Sequence, residues 1–262
     1  MAVSGLSGKA IIVTGSSGIA AAAVRQAAAS GAHLVLAAHD VQPAWELAAE
    51  TGAECWTGDL TRPASGESVL SQCLSKFGRV DGLLYAAGMS GRRFGDGPVH
   101  ECTDEGWEAA MAHNLKPVFQ MCRAVAGRML EQAAGENGIR GAIVNIGSVL
   151  AEAPEPRHFA THAYAAAKGA VAALSRSMAA YYAPHGIRVN LVAPGLVRTP
   201  ASEAARTNAE LSAFLANKQV LCGGMIDAEE VAAAALFLLS DEARSISGQV
   251  VVVDGGWSVT GV

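Results

Sequence analysis

The chain lacks the features that mark membrane-spanning and nucleic-acid-binding proteins. Only 16% of its 262 residues are charged and 5% are aromatic, and the formal net charge is −5. No apolar stretch approaches the roughly 18–20 residues of a membrane span. No basic stripe is present that could follow a phosphate backbone. We therefore expect neither a membrane nor a nucleic acid as a partner.

Cysteine motifs for disulfides and metals are missing as well. The five cysteines are odd in number and scattered, and no CxxC motif occurs. The first predicted strand begins at about Lys9, which leaves no room for a signal peptide. These observations predict reduced thiols in a cytoplasmic protein.

What the chain does contain is a regular alternation of two kinds of segment. Half of it (51%) is hydrophobic, and short β-branched runs alternate with longer alanine-rich amphipathic stretches. This pattern predicts one α/β domain over residues 1–262, with a doubly wound parallel sheet of seven strands and helices on both faces. The predicted strands are Ala10–Thr14, Leu34–Ala37, Glu54–Thr57, Gly82–Ala86, Ala142–Ile146, Arg188–Ala193 and Gln249–Val253. Helices are predicted near residues 19–30, 42–51, 65–77, 104–134, 161–183 and 228–239.

Two segments that follow strand ends are predicted to be loops that carry function. The first is Met89–Cys102. The second, residues 194–224, is predicted to form a lid over the site with one or two short helices.

Tyr164 and Lys168 are the most informative pair of residues. They are four positions apart in a predicted helix, so their side chains share one face. A lysine cation near a tyrosine hydroxyl favours the phenolate and lowers a pKa that is ordinarily about 10. Such a tyrosine can donate and accept a proton near neutral pH. Ser148 ends a buried strand upstream of this pair, and the carboxyl tips of parallel strands are where such sheets place their chemistry.

The turn after the first strand has the composition of a phosphate-binding turn. Gly15, Ser17, Gly18 and Ile19 join this strand to the first helix. Glycines there let the backbone approach a pyrophosphate, which would lie at the helix N-terminus. The position in a βαβ unit makes a dinucleotide site the favoured interpretation over an ordinary βα turn.

The tips of the second and third strands bear on which dinucleotide would bind. An acidic residue at the second tip binds ribose hydroxyls, and a basic one accepts a 2′-phosphate. Ala38 does neither, His39 could do the second weakly, and Asp40 is read as a turn residue or helix N-cap. Asp59 follows the third strand, where it could meet an adenine or cap the next turn.

Three other arrangements carry weaker hypotheses. His158 and His162 have a spacing that could share a metal ion, but a segment lining the substrate entrance is favoured, so no metal is predicted. No G-x-S-x-G surrounds Ser148, which argues against a hydrolase triad. Arg92 and Arg93 could hold an anionic substrate, although a solvated loop pair is favoured.

Together these motifs resemble the short-chain dehydrogenase/reductase family, in its short single-domain branch, over nearly the whole chain. The resemblance rests on the Thr-Gly turn, Ala86-Ala87-Gly88, Asn114, Ser148, Tyr164 with Lys168, the run Arg188 to Gly195, and the tail Gly248 to Gly256. It implies an NAD(P)-dependent oxidoreductase that interconverts a secondary alcohol and a ketone.

The resemblance also implies a role for individual residues. Tyr164 would be the general acid/base, Lys168 would lower its pKa and hold the nicotinamide ribose, and Ser148 would bind the substrate oxygen. Asn114 would shape a helix that carries a water-linked proton path. Together with the turn and the strand tips described above, these assignments give the expected cofactor-binding residues: Gly15, Ser17, Gly18, Ile19, His39, Asp59, Leu60, Ala87, Gly88, Tyr164, Lys168, Pro194, Gly195, Val197 and Thr199.

The chain departs from the family pattern at three places. The glycine turn is one residue shorter than T-G-x-x-x-G-x-G, and its last glycine is Ala20. Tyr85 and Ala86 replace the asparagines of N-N-A-G. The second strand tip lacks both cofactor-discriminating residues. A catalytically idle dinucleotide-binding or scaffold protein is therefore the alternative to an enzyme.

The cofactor and the assembly are the last expectations. Ala38 and His39 favour NADP over NAD. Alanine-rich faces on the predicted helices near 104–134 and 161–183, and an apolar tail from Trp257 to Val262, predict a homotetramer of D2 symmetry. The sequence does not name the substrate.

Overall fold

The computed structural model describes residues 3–135, 137–203 and 207–260. Its centre is a parallel sheet whose strands are short apolar runs, most of them completely buried. The strands are β1 (Ala10–Thr14), β2 (His33–Ala38), β3 (Glu54–Thr57), β4 (Gly82–Tyr85), β5 (Gly141–Ile146), β6 (Ile187–Pro194), β7 (Val197–Arg198), β8 (Ile226–Asp227) and β9 (Val250–Val253). Seven of them form the main sheet in the order β3-β2-β1-β4-β5-β6-β9, and β7 pairs with β8 separately.

The helices cover both faces of this sheet. They are α1 (Gly18–Ala29), α2 (Val41–Thr51), α3 (Ser65–Phe77), α4 (Asp104–Asn114), α5 (Lys116–Glu131), α6 (His162–Tyr182), α7 (Ala209–Lys218) and α8 (Ala228–Leu239). Alanine and leucine side chains of α1 and α8 form one core cluster with the sheet. Side chains of α3, α5 and α6 form another, on the opposite face. The predicted α/β class, the seven parallel strands and the two helical layers are confirmed.

The order of the strands places a crevice at the carboxyl ends of β1 and β4. β1 pairs with β2 on one side and with β4 on the other. Successive strands are therefore added in one direction from β1 to β3 and in the opposite direction from β4 onward. Open parallel sheets bind ligands at such a reversal. The glycine turn after β1 and the segment after β4 meet there.

The structure corrects one predicted helix. Residues 104–134 were expected to form a single helix, but α4 ends at Asn114 and α5 ends at Glu131. Pro117, in the first turn of α5, explains the break because it has no N–H to donate to the carbonyl four residues earlier. The break leaves the Asn114 side chain at a junction between two helices.

The predicted lid contains more structure than one or two helices. Strand β7, a short 3-10 helix at Pro200–Ser202 and helix α7 follow one another after β6, and β7 pairs with β8 just beyond the lid. Residues 204–206 of the lid, and residues 261–262 of the apolar tail, lie outside the described residues.

All five cysteines are free. Within the described ranges, no helix is both long and apolar enough to cross a membrane.

Candidate active site

The turn between β1 and α1 has the backbone of an anion-binding turn. Gly15 and Gly18 have φ angles of 101° and 52°, in the left-handed region that favours glycine. Ser17 holds the N-cap position of α1, but its side chain makes no capping hydrogen bond. The first N–H groups of α1 therefore lack a side-chain acceptor, which suits a phosphate at the positive end of the helix.

Three glycines at this crevice leave no space for a side chain. A Cβ on Gly18 would lie 2.5 Å from Thr199 Cγ2, and one on Gly88 would lie 2.9 Å from Asn114 Oδ1. A Cβ on Gly195 would collide with Gln219. The backbone can therefore come close to a bound group here, and the turn, the helix start and the glycines fit a dinucleotide.

The tips of β2 and β3 carry the residues that would meet the adenosine half. Ala38 is buried and His39 is exposed. Asp40 is the N-cap residue of α2, again without a side-chain capping bond. Asp59 Oδ1 accepts hydrogen bonds from the Thr61 backbone N–H (2.8 Å) and hydroxyl (2.6 Å), which lower the pKa of the Asp59 carboxyl. Asp59 thus stabilises its own turn, the structural role that the sequence left open.

The segment after β4 is tied to β1 by a residue that the sequence analysis did not single out. The buried hydroxyl of Thr14 accepts hydrogen bonds from the N–H groups of Ala86 (3.0 Å) and Ala87 (3.1 Å). The N-N-A-G pattern of the resembled family has an asparagine at the position of Ala86. Here the hydroxyl at the tip of β1 joins the two strand ends.

Asn114 is completely buried at the junction of α4 and α5. Its Oδ1 accepts from the Met89 N–H, and its Nδ2 donates to the carbonyls of Met89 and Ala110, each at 3.0 Å. The side chain thus fixes the start of the loop after β4 and the last turn of α4. These three bonds use most of the amide's hydrogen-bonding capacity.

Ser148, Tyr164 and Lys168 come together at the tip of β5, as the sequence predicts. Ser148 lies two residues after the end of β5 and is 8% exposed. Tyr164 lies in the first turn of α6, and Lys168 Nζ lies 5.7 Å from the centre of its ring. The Lys168 ammonium donates to the Ile146 carbonyl at 2.8 Å. The predicted spacing on one helix face is therefore confirmed.

The predicted direction of the Tyr164 pKa is wrong in this structure. Burial raises the pKa of the Tyr164 phenol, and its interaction with the Ser148 hydroxyl lowers it by less. The loss of water around the phenol therefore outweighs the hydrogen bond from Ser148 that favours the phenolate. Burial also changes the pKa of Lys168. Burial lowers the pKa of the Lys168 ammonium to about 8. Both groups thus favour their neutral forms more than they would in water.

A small cavity of about 120 Å³ reaches this group of residues from the side of β9. Ser148 and Lys168 contribute to its wall, and the rest is mostly apolar, with Ala172, Leu191 and Val250 among the lining residues. The cavity gives the Ser148 side of the site a mostly apolar wall.

One of the family-implied residues of the lid, Thr199, lies beside the glycine turn. Pro194 ends β6, and Gly195 donates its N–H to the Val253 carbonyl. Val197 belongs to β7, and Thr199 packs against Gly18. Gln219, which is completely buried, accepts from the Leu196 N–H at 2.6 Å and joins the two ends of the lid. Leu60 and Ala87 are half-buried beside the core cluster of α3, α5 and α6.

Aromatic rings form a wall between the segment before α6, the lid and the C-terminal tail. Trp257 is buried, and its ring packs edge-on against Phe159 and Phe214 at 5.6 and 5.9 Å. The His158 ring lies 4.8 Å from that of Phe214, tilted by 50°. Arg92 lies over the Phe159 ring and donates to the His158 carbonyl. That the segment from His158 to His162 lines the substrate entrance stays a prediction.

Sequence reasoning also missed Asp96, a buried carboxylate in the loop after β4. Its two oxygens accept hydrogen bonds from the N–H groups of Ala163 and Tyr164, both at 3.0 Å. Ala163 and Tyr164 lie 67 and 68 residues after Asp96 in the chain, so no local sequence pattern indicates this contact.

Comparisons with known proteins show which chains this one is similar to. A family model described as enoyl-(acyl carrier protein) reductase matches residues 13–258. D-Threitol dehydrogenase of Mycolicibacterium smegmatis is 34% identical over 260 residues, which cover 97% of this chain and 94% of that protein. The 3-oxoacyl-(acyl-carrier-protein) reductase FabG of Escherichia coli is 35% identical over 252 residues, covering 95% of this chain and 97% of that one. The crystal structure of gox2181 is 31% identical, with a TM-score of 0.87 and 97% of each chain covered.

Proposed function

This chain belongs to the short-chain dehydrogenase/reductase family and is an NAD(P)-dependent enzyme that interconverts alcohols and ketones, and on that premise we propose which of its residues carry the reaction. The observation that carries the proposal is the convergence of Ser148, Tyr164 and Lys168 at the tip of β5, with the Lys168 ammonium next to Gly88 in the segment after β4. Tyr164 is the general acid/base, Ser148 binds the substrate oxygen, and Lys168 supports both the proton transfer and the cofactor.

The proton moves at the Tyr164 hydroxyl oxygen. In alcohol oxidation the phenolate accepts the hydroxyl proton of the substrate, and in ketone reduction the phenol returns it to the developing alkoxide. The Ser148 hydroxyl donates to the same substrate oxygen, where negative charge develops. The nicotinamide ring, when bound, accepts or supplies the hydride. Gly15, Gly18 and the start of α1 would hold the pyrophosphate, and Lys168 would reach the nicotinamide ribose.

We propose NADP as the preferred cofactor. Ala38 presents no carboxylate to repel a 2′-phosphate, and the exposed His39 can donate a hydrogen bond to one. His39 lacks the bidentate fork of an arginine, so the preference should be moderate. Values of kcat/KM for NADP and NAD with one alcohol test this directly, and a preference for NAD would overturn it.

We also propose a homotetramer in the cytoplasm. Large apolar side chains remain exposed on two separate faces, Trp107 (49%) and Phe119 (46%) on α4 and α5, and Phe237 and Val252 (both 42%) on α8 and β9. Two faces of this kind satisfy D2 symmetry, and five free cysteines suit a reducing compartment. Light scattering coupled to size-exclusion chromatography tests the assembly, and a monomer at micromolar concentration would refute it.

A panel of alcohols tests the proposed activity. It contains D-threitol, a cyclic diol, a 3-hydroxyacyl thioester and a 3β-hydroxysteroid, each assayed with NADP and NAD through absorbance at 340 nm. Tyr164→Phe should lower kcat by about 10²–10⁴-fold on the best alcohol, because only the proton donor is removed. Fluorescence titration with NADPH should give an unchanged Kd. Retention of more than about a tenth of the wild-type kcat would refute the role of Tyr164, and an idle protein would bind NADPH without turning over any alcohol.

A further inference from the structure

The N-terminus of α6, which carries Tyr164 in its first turn, has no local cap. Thr161 holds the N-cap position, but its side chain makes no capping hydrogen bond. The free N–H groups of the first turn instead reach the loop after β4. His162 donates to the Gly97 carbonyl at 3.1 Å, and Ala163 and Tyr164 donate to the two carboxylate oxygens of Asp96 at 3.0 Å.

Asp96 is held firmly in this position. It is 7% exposed, and its own N–H donates to the Gly91 carbonyl at 3.2 Å. A Cβ on Gly91 would lie 2.9 Å from Asp96 Cβ, and one on Gly106 would lie 2.6 Å from the Asp96 nitrogen. The absence of side chains at Gly91 and Gly106 thus makes the space that Asp96 occupies.

The charge of Asp96 is balanced by the helix. Among the described residues, no lysine, arginine or histidine forms an ion pair with it. Two N–H donors and the positive end of the α6 dipole therefore stabilise the buried carboxylate. An anion in this place favours one arrangement of the first turn of α6 over others.

The same loop is anchored at its other end by Asn114. Asn114 binds both the N–H and the carbonyl of Met89, seven residues before Asp96. The segment from Met89 to Asp96 therefore connects the tip of β4 to the backbone of Tyr164. A movement of the loop would move the Tyr164 backbone with it.

We propose that Asp96 is a positioning residue that sets the place of the Tyr164 hydroxyl by capping α6 from the loop after β4. The inference rests on the proposed role of Tyr164 as the general acid/base. Asp96 acts through the two backbone N–H groups and does not touch the substrate. A displacement of about 1 Å at a reacting group can lower a rate by about 10²-fold.

Kinetics of Asp96→Ala and Asp96→Asn test the proposal on the best alcohol of the panel. Asp96→Ala removes both acceptors, so kcat per NADPH-binding site should fall about 10- to 100-fold while KM and the NADPH Kd change less than about twofold. Asp96→Asn keeps one acceptor, and its kcat should lie between those of the wild type and Asp96→Ala. An unchanged kcat, or a loss confined to KM, would overturn the inference.

Thr103→Ala is the matched control. The Thr103 side chain caps α4 from the same loop, accepting from the Gly106 N–H and donating to the Phe94 carbonyl. Its removal loosens a helix start of the same kind without touching α6, so kcat should stay within about twofold of the wild type. An equal loss of kcat in Thr103→Ala would show that general loosening of the loop explains the effect of Asp96.

Hydrogen exchange measured by mass spectrometry tests the contact without any substrate. Asp96→Ala should speed exchange in peptides covering residues 161–168, and Thr103→Ala should speed it in peptides covering 103–110. Unchanged exchange at 161–168 in Asp96→Ala would overturn the inference even if no alcohol in the panel reacts. If no alcohol of the panel reacts but exchange at residues 161–168 is faster in Asp96→Ala, the result would count against the proposed function alone.

Discussion

Lys168 should make the protein less stable at neutral pH while it supports activity, and Lys168→Met separates the two effects. Lys168 is 4% exposed, and among the described residues its ammonium donates a hydrogen bond to the Ile146 carbonyl. Burial lowers its pKa from 10.5 to about 8. Methionine has a similar length and carries no charge, so it removes the buried cation with little change in packing.

Two effects of opposite sign determine the magnitude. Each pKa unit corresponds to about 1.4 kcal/mol, so a cation whose pKa falls from 10.5 to about 8 destabilises the folded protein by about 3 kcal/mol. The substitution also leaves the buried Ile146 carbonyl without this donor, which costs about 1–3 kcal/mol. At pH 7 the variant should therefore be more stable than the wild type by about 1 kcal/mol.

The difference should change with pH in a defined direction. Below about pH 8 Lys168 is charged in both the folded and the unfolded protein, so the full cost of its burial is present. Between about pH 8 and 10.5 the folded protein releases the proton before the unfolded chain does, and the wild type becomes more stable as pH rises. The neutral amine still donates to Ile146. The wild type should therefore overtake Lys168→Met toward pH 10.

Urea unfolding of both proteins at one protein concentration, at several values between about pH 7 and 10, measures the difference. Other titrating groups are common to both proteins and cancel in the comparison. A difference that stays constant with pH would refute the lowered pKa of Lys168. Alcohol oxidation by the variant should be reduced at every pH, because the proposed support of Tyr164 is lost.

Three further predictions concern the cofactor, the core and the pH profile. Ala38→Asp should lower kcat/KM for NADP at least about tenfold and favour NAD, since a carboxylate repels the 2′-phosphate; equal values for both cofactors would contradict it. Thr14→Val should lower the free energy of unfolding in urea by about 1–3 kcal/mol, because the N–H groups of Ala86 and Ala87 lose their acceptor, while Thr14→Ser should stay near the wild type. Because burial raises the pKa of Tyr164, kcat/KM for alcohol oxidation should rise between about pH 7 and 9, and that for ketone reduction should not; a flat oxidation profile would contradict the assignment.

The strands and most helices could be predicted because their signals are local. Apolar runs of four to eight residues marked every strand of the main sheet, with ends misplaced by one residue at several of them, such as β2 and β6. The break after Asn114 was also marked in the sequence, by Pro117, yet residues 104–134 were predicted as one helix. Strands β7 and β8 have two residues each, too short for any period, and their pairing joins Val197 to Ile226 across the lid.

The part of the candidate site that could be predicted consists of side chains at recognisable spacings in the sequence. Tyr164 and Lys168 are one helical turn apart, and Ser148 marks a strand tip, so their meeting followed from the sequence. The direction of the Tyr164 pKa did not, because it depends on how much water the fold removes. Thr14 and Asp96 were missed for another reason: each binds backbone N–H groups of a segment far away in the chain.

The shortened glycine turn is the feature that most favours an idle dinucleotide-binding protein, and the structure weakens that argument. The missing residue would matter if it moved the start of α1 away from the tip of β1. Instead α1 begins at Gly18, three residues after Gly15, and its first N–H groups have no side-chain cap. An anion site at a helix start requires these groups and a close backbone, and the turn retains both. The shorter glycine spacing therefore does not by itself favour an idle protein.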